Sequence, residues 1–168
     1  MNFLTEPLNN SHIRNNFFSG ENILDKYLQN QAGQDVKRKL SACYVIADKK
    51  NLEVKGYYTL SGNSIPSNMI PNQIKRKLPG SYNNLPVILI GRLAVSQSFQ
   101  GEGLGKLLLI DALKRCFELT LSIGAFAVIV DPVNDYAQQF YSKYGFVLLP
   151  DSKKMFITMK TISKLGFP

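Results

Sequence analysis

A glycine-rich turn in the middle of the chain constrains the fold most, because it joins an apolar segment to an amphipathic one. The turn runs from Gln100 to Lys106 and reads Gln-Gly-Glu-Gly-Leu-Gly-Lys. Glycine has no Cβ, so the backbone N–H groups of such a turn can approach a ligand, and a helix N-terminus adds positive partial charge. The turn therefore predicts an anion site of the kind that holds a phosphate.

Two common phosphate loops do not match this turn. A Walker loop requires glycine where Gln100 stands and Ser or Thr where Leu107 stands. A dinucleotide fingerprint requires its third glycine where Lys106 or Leu108 stands. The pattern that remains is Gln-x-x-Gly-x-Gly, which ends at Gly105.

Length and composition predict one domain over residues 1–168, because the 168 residues are 45% hydrophobic and show no composition break. The net charge of +8 favours polyanionic partners such as RNA or phosphorylated cofactors. Cys43 and Cys116 lie in apolar stretches without C-x-x-C spacing, which predicts buried free thiols in a reducing compartment. No metal-ligand spacing, signal peptide or membrane-spanning run is visible, so we expect a cytoplasmic protein without a metal.

The first half of the chain predicts a helix followed by a hairpin. Asn22 is the expected helix cap, and Ile23, Leu24, Tyr27 and Leu28 are expected to share its apolar face. Residues 42–47 and 54–60 read as two antiparallel strands joined by a short turn. Residues 66–84 are polar and rich in proline, which predicts a surface loop with one short helix.

The second half predicts a parallel strand–helix–strand unit. Residues 87–90 and 125–130 are continuous apolar runs, typical of strands buried on both faces. The helix between them is expected to turn four polar residues outward: Asp111, Lys114, Arg115 and Glu118. A further helix, capped by Asn134 and ended by Gly145, precedes an antiparallel pair at 146–149 and 155–159.

A second motif follows the turn and reads Asn134-x-x-Ala137-x-x-Phe140-Tyr141-x-x-x-Gly145-Phe146. Together, the turn and this motif resemble the two signatures of the GNAT family of N-acetyltransferases. The resemblance implies an α/β fold with a mixed sheet, splayed where acetyl-CoA binds, and flanking helices. It implies acetyl-CoA contacts at Leu93, Ala94, Val95, Gln100, Gly101, Gly103, Leu104, Gly105, Lys106, Asn134 and Ala137.

The chemistry of such a transfer favours a tyrosine near the thioester. An amine that attacks a thioester expels a thiolate whose conjugate acid has a pKa of about 8.5, and a tyrosine is protonated at pH 7 and can donate to it. From helical spacing alone, Tyr141 could equally be an aromatic residue of the core, like Tyr144. The resemblance instead assigns Tyr141 the role of general acid.

The acceptor amine must lose its proton without a histidine partner. The only histidine is His12, which we expect on the surface, so a nucleophilic triad is excluded. The amine is left to water or to a carboxylate such as Asp131 or Asp135. An α-amine, with a pKa of about 7.7 to 8.0, suits this better than a lysine amine at about 10.4.

The segment Gly91-Arg92-Leu93-Ala94-Val95, with the turn after it, resembles the branch of TacT-like toxins, as do Phe18-Ser19-Gly20, Leu24-Asp25-x-Tyr27-Leu28 and Val54-x-Gly56-Tyr57-Tyr58. That resemblance implies acetylation of the α-amine of aminoacyl-tRNA, which blocks translation, a ribbon-helix-helix antitoxin and a homodimer. Basic side chains are the candidates for tRNA contacts, although each cluster also reads as a solvated face. These candidates are Lys37, Arg38, Lys39, Lys75, Arg76, Lys77 and Arg92, with Lys49-Lys50 and Lys153-Lys154 beside them.

Two features depart from the pattern of the relatives. Glu102 stands between the first two glycines of the turn, where many relatives have a basic residue, and we expect it to point to solvent. Asp131 and Pro132 stand where members of the branch often have His and Ala, so the resemblance does not predict which amino acid the acceptor pocket recognises.

Two alternatives to an enzyme that acetylates tRNA remain. One is a GNAT enzyme that acts on a small amine, a peptide or a protein, and the other is a non-catalytic module that binds acetyl-CoA or RNA.

Overall fold

The computed structural model describes residues 2–167, which form seven strands and six α-helices. In chain order these are β1 Glu6–Pro7, α1 Asn22–Asn30, α2 Ala32–Lys37, β2 Ala42–Ala47, β3 Val54–Pro66, α3 Asn72–Lys75, β4 Asn84–Val95, α4 Leu104–Leu119, β5 Ala127–Val130, α5 Asp135–Lys143, β6 Val147–Leu148, β7 Met155–Thr158 and α6 Met159–Ile162. Short 3-10 turns cover Ser67–Met69, Gln97–Phe99 and Ser163–Leu165.

The strands form one mixed sheet in the order β1-β2-β3-β4-β5-β7-β6, flanked by helices, which confirms the expected α/β fold. β2 pairs antiparallel with β3, so the predicted hairpin is confirmed, with Ala42 opposite Leu60. β6 pairs antiparallel with β7, as expected for the closing strands, and β5 also pairs antiparallel with β7. β3 continues to Pro66, six residues past its predicted end at Leu60.

The chain divides into two compact units. One comprises the residues up to Ser61 together with Ile90–Leu113, and the other comprises Gly62–Leu89 together with the residues from Lys114 onward. The divisions fall inside β3, β4 and α4, each of which is a continuous element. A single domain over residues 1–168 stays a prediction.

The core of the first unit lies under α1, whose buried apolar side chains are Leu24, Tyr27 and Leu28. They pack with β2 and β3, and each fully buried Leu or Val side chain contributes about 1.5–3 kcal/mol. Two expectations for this helix are wrong. Ile23 is 69% exposed, and Asn22 is the first helical residue and not the cap.

Asp25, in the first turn of α1, binds the segment that precedes the helix. Its carboxylate oxygen Oδ1 accepts hydrogen bonds from the backbone N–H of Ser19 at 2.9 Å and from the Ser19 hydroxyl at 2.6 Å. A carboxylate near a helix N-terminus also interacts favourably with the positive end of the helix dipole. The side chain is only 4% exposed, so the segment before α1 folds back over it.

The core of the second unit surrounds β5, in which all four residues are buried. Ala127 and Ile129 pack with Val87 of β4 and Phe156 of β7. Because both faces of β5 are covered, its sequence is a continuous apolar run and not an alternating one. The strand begins at Ala127, two residues after the predicted start.

Asp111 in α4 is buried, so its expected place on the outward polar face is wrong. Its carboxylate accepts hydrogen bonds from the Tyr58 hydroxyl at 2.7 Å, the Thr5 hydroxyl at 2.6 Å and the backbone N–H of Leu4 at 2.6 Å. A buried carboxylate is tolerated when hydrogen bonds replace the lost water. These bonds attach the N-terminal segment to α4.

His12 is also buried, at 5% exposure, so its expected surface position is wrong. Its Nδ1 accepts from the backbone N–H of Asn9 at 3.0 Å, which leaves Nε2 to donate to Glu6 Oε1 at 2.8 Å. Cys43 and Cys116 are buried free thiols, as predicted.

Within residues 2–167, no helix has both the length and the apolar character needed to cross a membrane. The same residues contain no cluster of three or more His, Cys, Asp or Glu side chains that could hold a metal ion.

Candidate active site

The glycine-rich turn ends in six backbone N–H groups without acceptors. Gly101 and Gly103 adopt φ angles of +82° and +80°, in the region that favours glycine, and α4 begins at Leu104. The first amide to find an acceptor is that of Leu107, which donates to the Gly103 carbonyl oxygen at 3.2 Å. None of the N–H groups of residues 101–106 donates a hydrogen bond within the described chain. Free amides at the positive end of a helix form an anion site.

Gln100 holds this turn against the end of β4. Its side-chain nitrogen donates to the carbonyl oxygens of Val95 and Ser19, both at 2.8 Å. The backbone N–H of Gln97 adds a bond of 2.7 Å to the carbonyl oxygen of Phe18. The Gln100 side chain therefore positions the turn, and its amide N–H groups are not free for a ligand.

The outer side of the turn is open. A Cβ added at Gly101 or Gly103 would meet no heavy atom within 4 Å. Glycine is therefore favoured at these positions by the positive φ angles, and not by a lack of space for a side chain. Glu102 is exposed, as predicted. In β4, Ala94 is buried, whereas Leu93 and Val95 are half-buried.

Gly56 is a structural requirement that sequence reasoning missed. A Cβ added there would lie 2.7 Å from Leu108 Cδ1 and 3.2 Å from the Ala94 carbonyl oxygen. Glycine at this position of β3 thus leaves room for Leu108 of α4 and for the main chain of Ala94 at the end of β4. A glycine inside a strand pattern was the available signal.

The second motif folds as α5, and Asn134 caps it as predicted. Asn134 Oδ1 accepts from the backbone N–H of Ala137 at 2.8 Å, and Gly145, at φ +94°, ends the segment. Sequence reasoning identified both ends of α5, because an Asn cap and a glycine stop are local signals.

Tyr141 has a buried ring and an available hydroxyl. The residue is 7% exposed, and its ring makes edge contacts with Phe140 and Phe146 at centroid distances of 5.3 Å and 5.2 Å. The hydroxyl has no hydrogen-bond partner among residues 2–167 and is not one of their fully enclosed polar atoms. Burial raises the pKa of Tyr141 above its ordinary value of 10, so the hydroxyl keeps its proton.

The predicted basic clusters are at the surface. The Lys37–Lys39 segment at the end of α2 and the Lys75–Lys77 segment at the end of α3 are exposed, and none of their side chains makes an ion pair with a described residue. Lys49, Lys50 and Lys153 are also exposed. Lys154 Nζ lies 3.5 Å from Asp131 Oδ2, so Asp131 has a cationic neighbour.

Arg92 differs from these clusters because it is half-buried and stacked. Its Cζ lies 3.4 Å from the ring centroid of Tyr27, whose hydroxyl donates to Asp35 Oδ2 at 2.8 Å. Burial and then this bond to Asp35 raise the pKa of Tyr27 to about 12, against an opposing effect of Arg92. The ring is therefore a neutral, electron-rich platform for the guanidinium.

Several known proteins are similar to this chain in sequence or in structure. A tRNA-acetylating toxin from Mycobacterium tuberculosis (strain ATCC 25618 / H37Rv) is 37% identical over 145 residues, which cover 86% of this chain and 84% of the relative. The structure of AtaT complexed with acetyl-methionyl-tRNAfMet is similar with a TM-score of 0.89 and 27% identity, covering 98% of this chain and 99% of that one.

A tyrosine-to-phenylalanine mutant of the toxin AtaT, bound to the C-terminus of the antitoxin AtaR and to acetyl-CoA, is similar with a TM-score of 0.79 and 25% identity. The match covers 96% of each chain. The model of the acetyltransferase (GNAT) family matches residues 16–146, a span that includes the turn and all of α5 with its cap. The chain therefore belongs to the GNAT family of acetyltransferases.

Proposed function

We propose that this protein transfers the acetyl group of acetyl-CoA to the α-amine of aminoacyl-tRNA, and that it acts as the toxin of a toxin–antitoxin pair. The observation that carries the proposal is the set of unpartnered N–H groups at residues 101–106, in a chain 37% identical to a tRNA-acetylating toxin. Blocking the α-amine of a charged tRNA removes the nucleophile that peptide-bond formation needs.

The residues of the turn fit the diphosphate of acetyl-CoA. Amides of Gly101, Gly103, Leu104, Gly105 and Lys106 provide donors to phosphate oxygens, and the N-terminus of α4 adds positive partial charge. Glu102 is exposed, so its carboxylate need not face the phosphates. The backbone of Leu93, Ala94 and Val95, the strand before the turn, is assigned to the pantetheine arm.

Tyr141 is assigned the acid role at the reacting end, beside Asn134 and Ala137. Bound acetyl-CoA supplies a thioester that a neutral amine attacks, with a CoA thiolate as leaving group. The Tyr141 hydroxyl has a proton to donate and no protein acceptor for it among residues 2–167. Its raised pKa keeps it in the donor form throughout the neutral range.

No histidine is suited to serve as the base. His12 is buried, and both of its ring nitrogens make hydrogen bonds, to Asn9 and to Glu6. Asp131 and Asp135 remain as candidates, and Asp131 has Lys154 beside it. An α-amine with a pKa of about 7.7 to 8.0 is partly neutral near pH 7, so it needs the least help.

Exposed cations support a tRNA acceptor. Lys37, Arg38, Lys39, Lys75, Arg76 and Lys77 are unpaired within the described residues, and the net charge is +8. Such charges attract a phosphate backbone by releasing its counterions. The resemblance to TacT-like toxins further implies a ribbon-helix-helix antitoxin and a homodimer. We also propose a cytoplasmic location.

The test is incubation of the protein with acetyl-CoA and total aminoacyl-tRNA, followed by mass analysis of the 3′ ends. We expect an acetyl group on the aminoacyl moiety, and a large loss of product with Tyr141→Phe. Tyr144→Phe is the matched control, because Tyr144 packs on Phe140 in the same part of the molecule. Acetylation of polyamines with no product on charged tRNA would contradict the proposal and favour a small-amine enzyme. Binding of acetyl-CoA without any turnover would favour a non-catalytic module.

A further inference from the structure

Arg92 is held by an aromatic ring and not by a carboxylate. Its Cζ stacks 3.4 Å from the centroid of Tyr27, and it makes no ion pair and donates no hydrogen bond within residues 2–167. Stacking uses the face of the planar guanidinium, so the N–H donors on its edge stay available to a ligand in that plane. The side chain is half-buried, and water can therefore be displaced from it by a ligand.

Tyr27 is itself fixed from two sides. Its hydroxyl donates to Asp35 Oδ2 at 2.8 Å, and its ring stacks with that of Tyr57 at a centroid distance of 6.5 Å and an interplanar angle of 18°. Donation to a carboxylate increases electron density in the ring, which strengthens its attraction for a cation. Asp35 therefore acts on Arg92 through Tyr27, without touching it.

The stack lies in the same compact unit as the anion turn. Arg92 is three residues before Val95, or about 10 Å along the strand that leads into the turn. Gln100 links that strand end to Ser19, just before the helix that carries Tyr27. Thus the strand and helix that hold the stack also hold the turn.

We propose that the Arg92 guanidinium binds a phosphodiester at the acceptor end of the tRNA, and that Tyr27 and Asp35 are positioning residues for it. The inference rests on the proposed function, because it names the group of that substrate that Arg92 recognises. The planar pair of N–H donors matches two phosphate oxygens. No internal ion pair has to break first, and the stack has already restricted the side chain, so binding costs less ordering entropy.

The experiment compares two acceptors that carry the same amino acid. Aminoacyl-tRNA has the phosphodiester, whereas aminoacyl-adenosine has the same ester, ribose and base without it. Because the wild type and each variant share every other contact to the tRNA, the change in the ratio of kcat/KM on the first acceptor to kcat/KM on the second reports the contact that the substituted side chain makes beyond the terminal aminoacyl-adenosine. For Arg92→Lys, which keeps the charge and loses the planar donor pair, we expect this ratio to fall about tenfold, equivalent to about 1.4 kcal/mol.

The two positioning residues are tested by coupling to Arg92. Tyr27→Phe keeps the ring and loses the bond to Asp35, and Asp35→Asn keeps the size and loses the charge. Each should lower the ratio about threefold, because each weakens the cation–π attraction that holds Arg92 without removing it. In an Arg92→Ala background, neither substitution should lower the ratio further. A purely structural role would lower activity on both acceptors and would persist without Arg92.

Tyr57→Phe is the matched control, because it removes a buried hydroxyl bond of 2.7 Å to the Leu24 carbonyl oxygen beside the same ring. We expect it to lower the melting temperature and to leave the ratio unchanged. Equal losses on both acceptors for Arg92→Lys, or an unchanged ratio, would overturn the role of Arg92 while acetylation of tRNA by the wild type still stands. Absence of acetylation on both acceptors by the wild type would instead refute the proposed function itself.

Discussion

The side-chain nitrogen of Gln100 lies 2.8 Å from the carbonyl oxygen of Val95, and this bond closes the anion turn onto the end of β4. The same nitrogen donates its second proton to Ser19 at 2.8 Å. Both donors of the amide are thus used inside the protein. The conformation that leaves six backbone amides open is therefore maintained by a side chain that need not touch the ligand.

Replacing Gln100 by Leu should weaken acetyl-CoA binding without unfolding the protein. The change removes two hydrogen bonds of about 1 kcal/mol each, part of which pre-organises the turn, so the Kd should rise about tenfold. Calorimetric titration with acetyl-CoA measures this. Gln97→Leu, at an exposed glutamine of the preceding 3-10 turn, is the control and should bind as the wild type does. Equal Kd values for all three proteins would contradict the positioning role.

Replacing Gly103 by Ala should strain the turn at its φ of +80°. A residue with a Cβ pays about 1–2 kcal/mol in the left-handed region, and nothing within 4 Å adds a clash. We expect lower thermal stability or a weaker affinity for acetyl-CoA, depending on whether the turn keeps its conformation. Gly62→Ala is the control, because Gly62 also has open space but no positive φ. A Gly103→Ala protein equal to wild type in both measurements would rule out a required left-handed conformation.

Substitutions of Asn134 separate its capping bond from its proposed contact at the acetyl end. Asn134→Ala removes the 2.8 Å bond to the Ala137 amide and should lower the free energy of unfolding by about 1 kcal/mol. Asn134→Asp keeps an acceptor and should retain that stability in urea titrations. If Asn134 also contacts the thioester end, kcat/KM falls in both variants. Full activity of Asn134→Asp would limit the residue to its role as a cap.

Local signals account for the elements that the sequence predicted well. β2 has the predicted bounds Ala42–Ala47, because a short run of β-formers ends at a turn, and α5 begins after the predicted cap Asn134. The anion turn was also readable, because glycine spacing is a local property. These features depend on neighbours within a few residues, which a sequence displays directly.

Long-range contacts account for the errors. Helical periodicity placed Asp111 on the outer face of α4, but its partners Thr5 and Tyr58 are more than 50 residues away in sequence. His12 is an exception, because the groups that satisfy its buried ring nitrogens, on Asn9 and Glu6, are only three and six residues away in sequence. The stack of Arg92 on Tyr27 joins a strand to a helix 65 residues earlier, and no spacing rule predicts such a pair.

The protein should lose stability in alkali, because its two buried thiols stay protonated at a pH at which they ionise in the unfolded chain. Burial raises the pKa of Cys43 and of Cys116 from 9.0 to about 12. Their contribution is fully present below the unfolded pKa, near 9, and is lost as pH rises toward 12, because the unfolded chain releases protons that the native chain retains. Each thiol contributes a slope of about 1.4 kcal/mol per pH unit in this range.

Unfolding in urea between pH 8.5 and 10.5 measures that slope. Cys116→Ala and Cys43→Ala should each make it shallower, even though each variant is less stable at pH 8 through the loss of buried contacts. Cys116→Ser is the matched comparison, because it keeps the size while the hydroxyl does not titrate. A slope that is identical in the wild type and in all three variants would show that the thiols do not carry the effect.

Tyr141→Phe should retain acetyl-CoA binding and lose turnover. The ring contacts with Phe140 and Phe146 remain, so the fold and the Kd should change little, whereas loss of a general acid costs about 100-fold or more in kcat. Tyr144→Phe, a change of the same size next to α5, should stay near the wild-type rate.

The pH profile of kcat gives a second readout for Tyr141. Because burial raises the pKa of Tyr141 above 10, wild-type kcat should not fall through deprotonation of this group as pH rises from 7 to 10. Unchanged kcat in Tyr141→Phe, or a wild-type alkaline limb below pH 10 that disappears in this variant, would remove Tyr141 from the role of protonated acid.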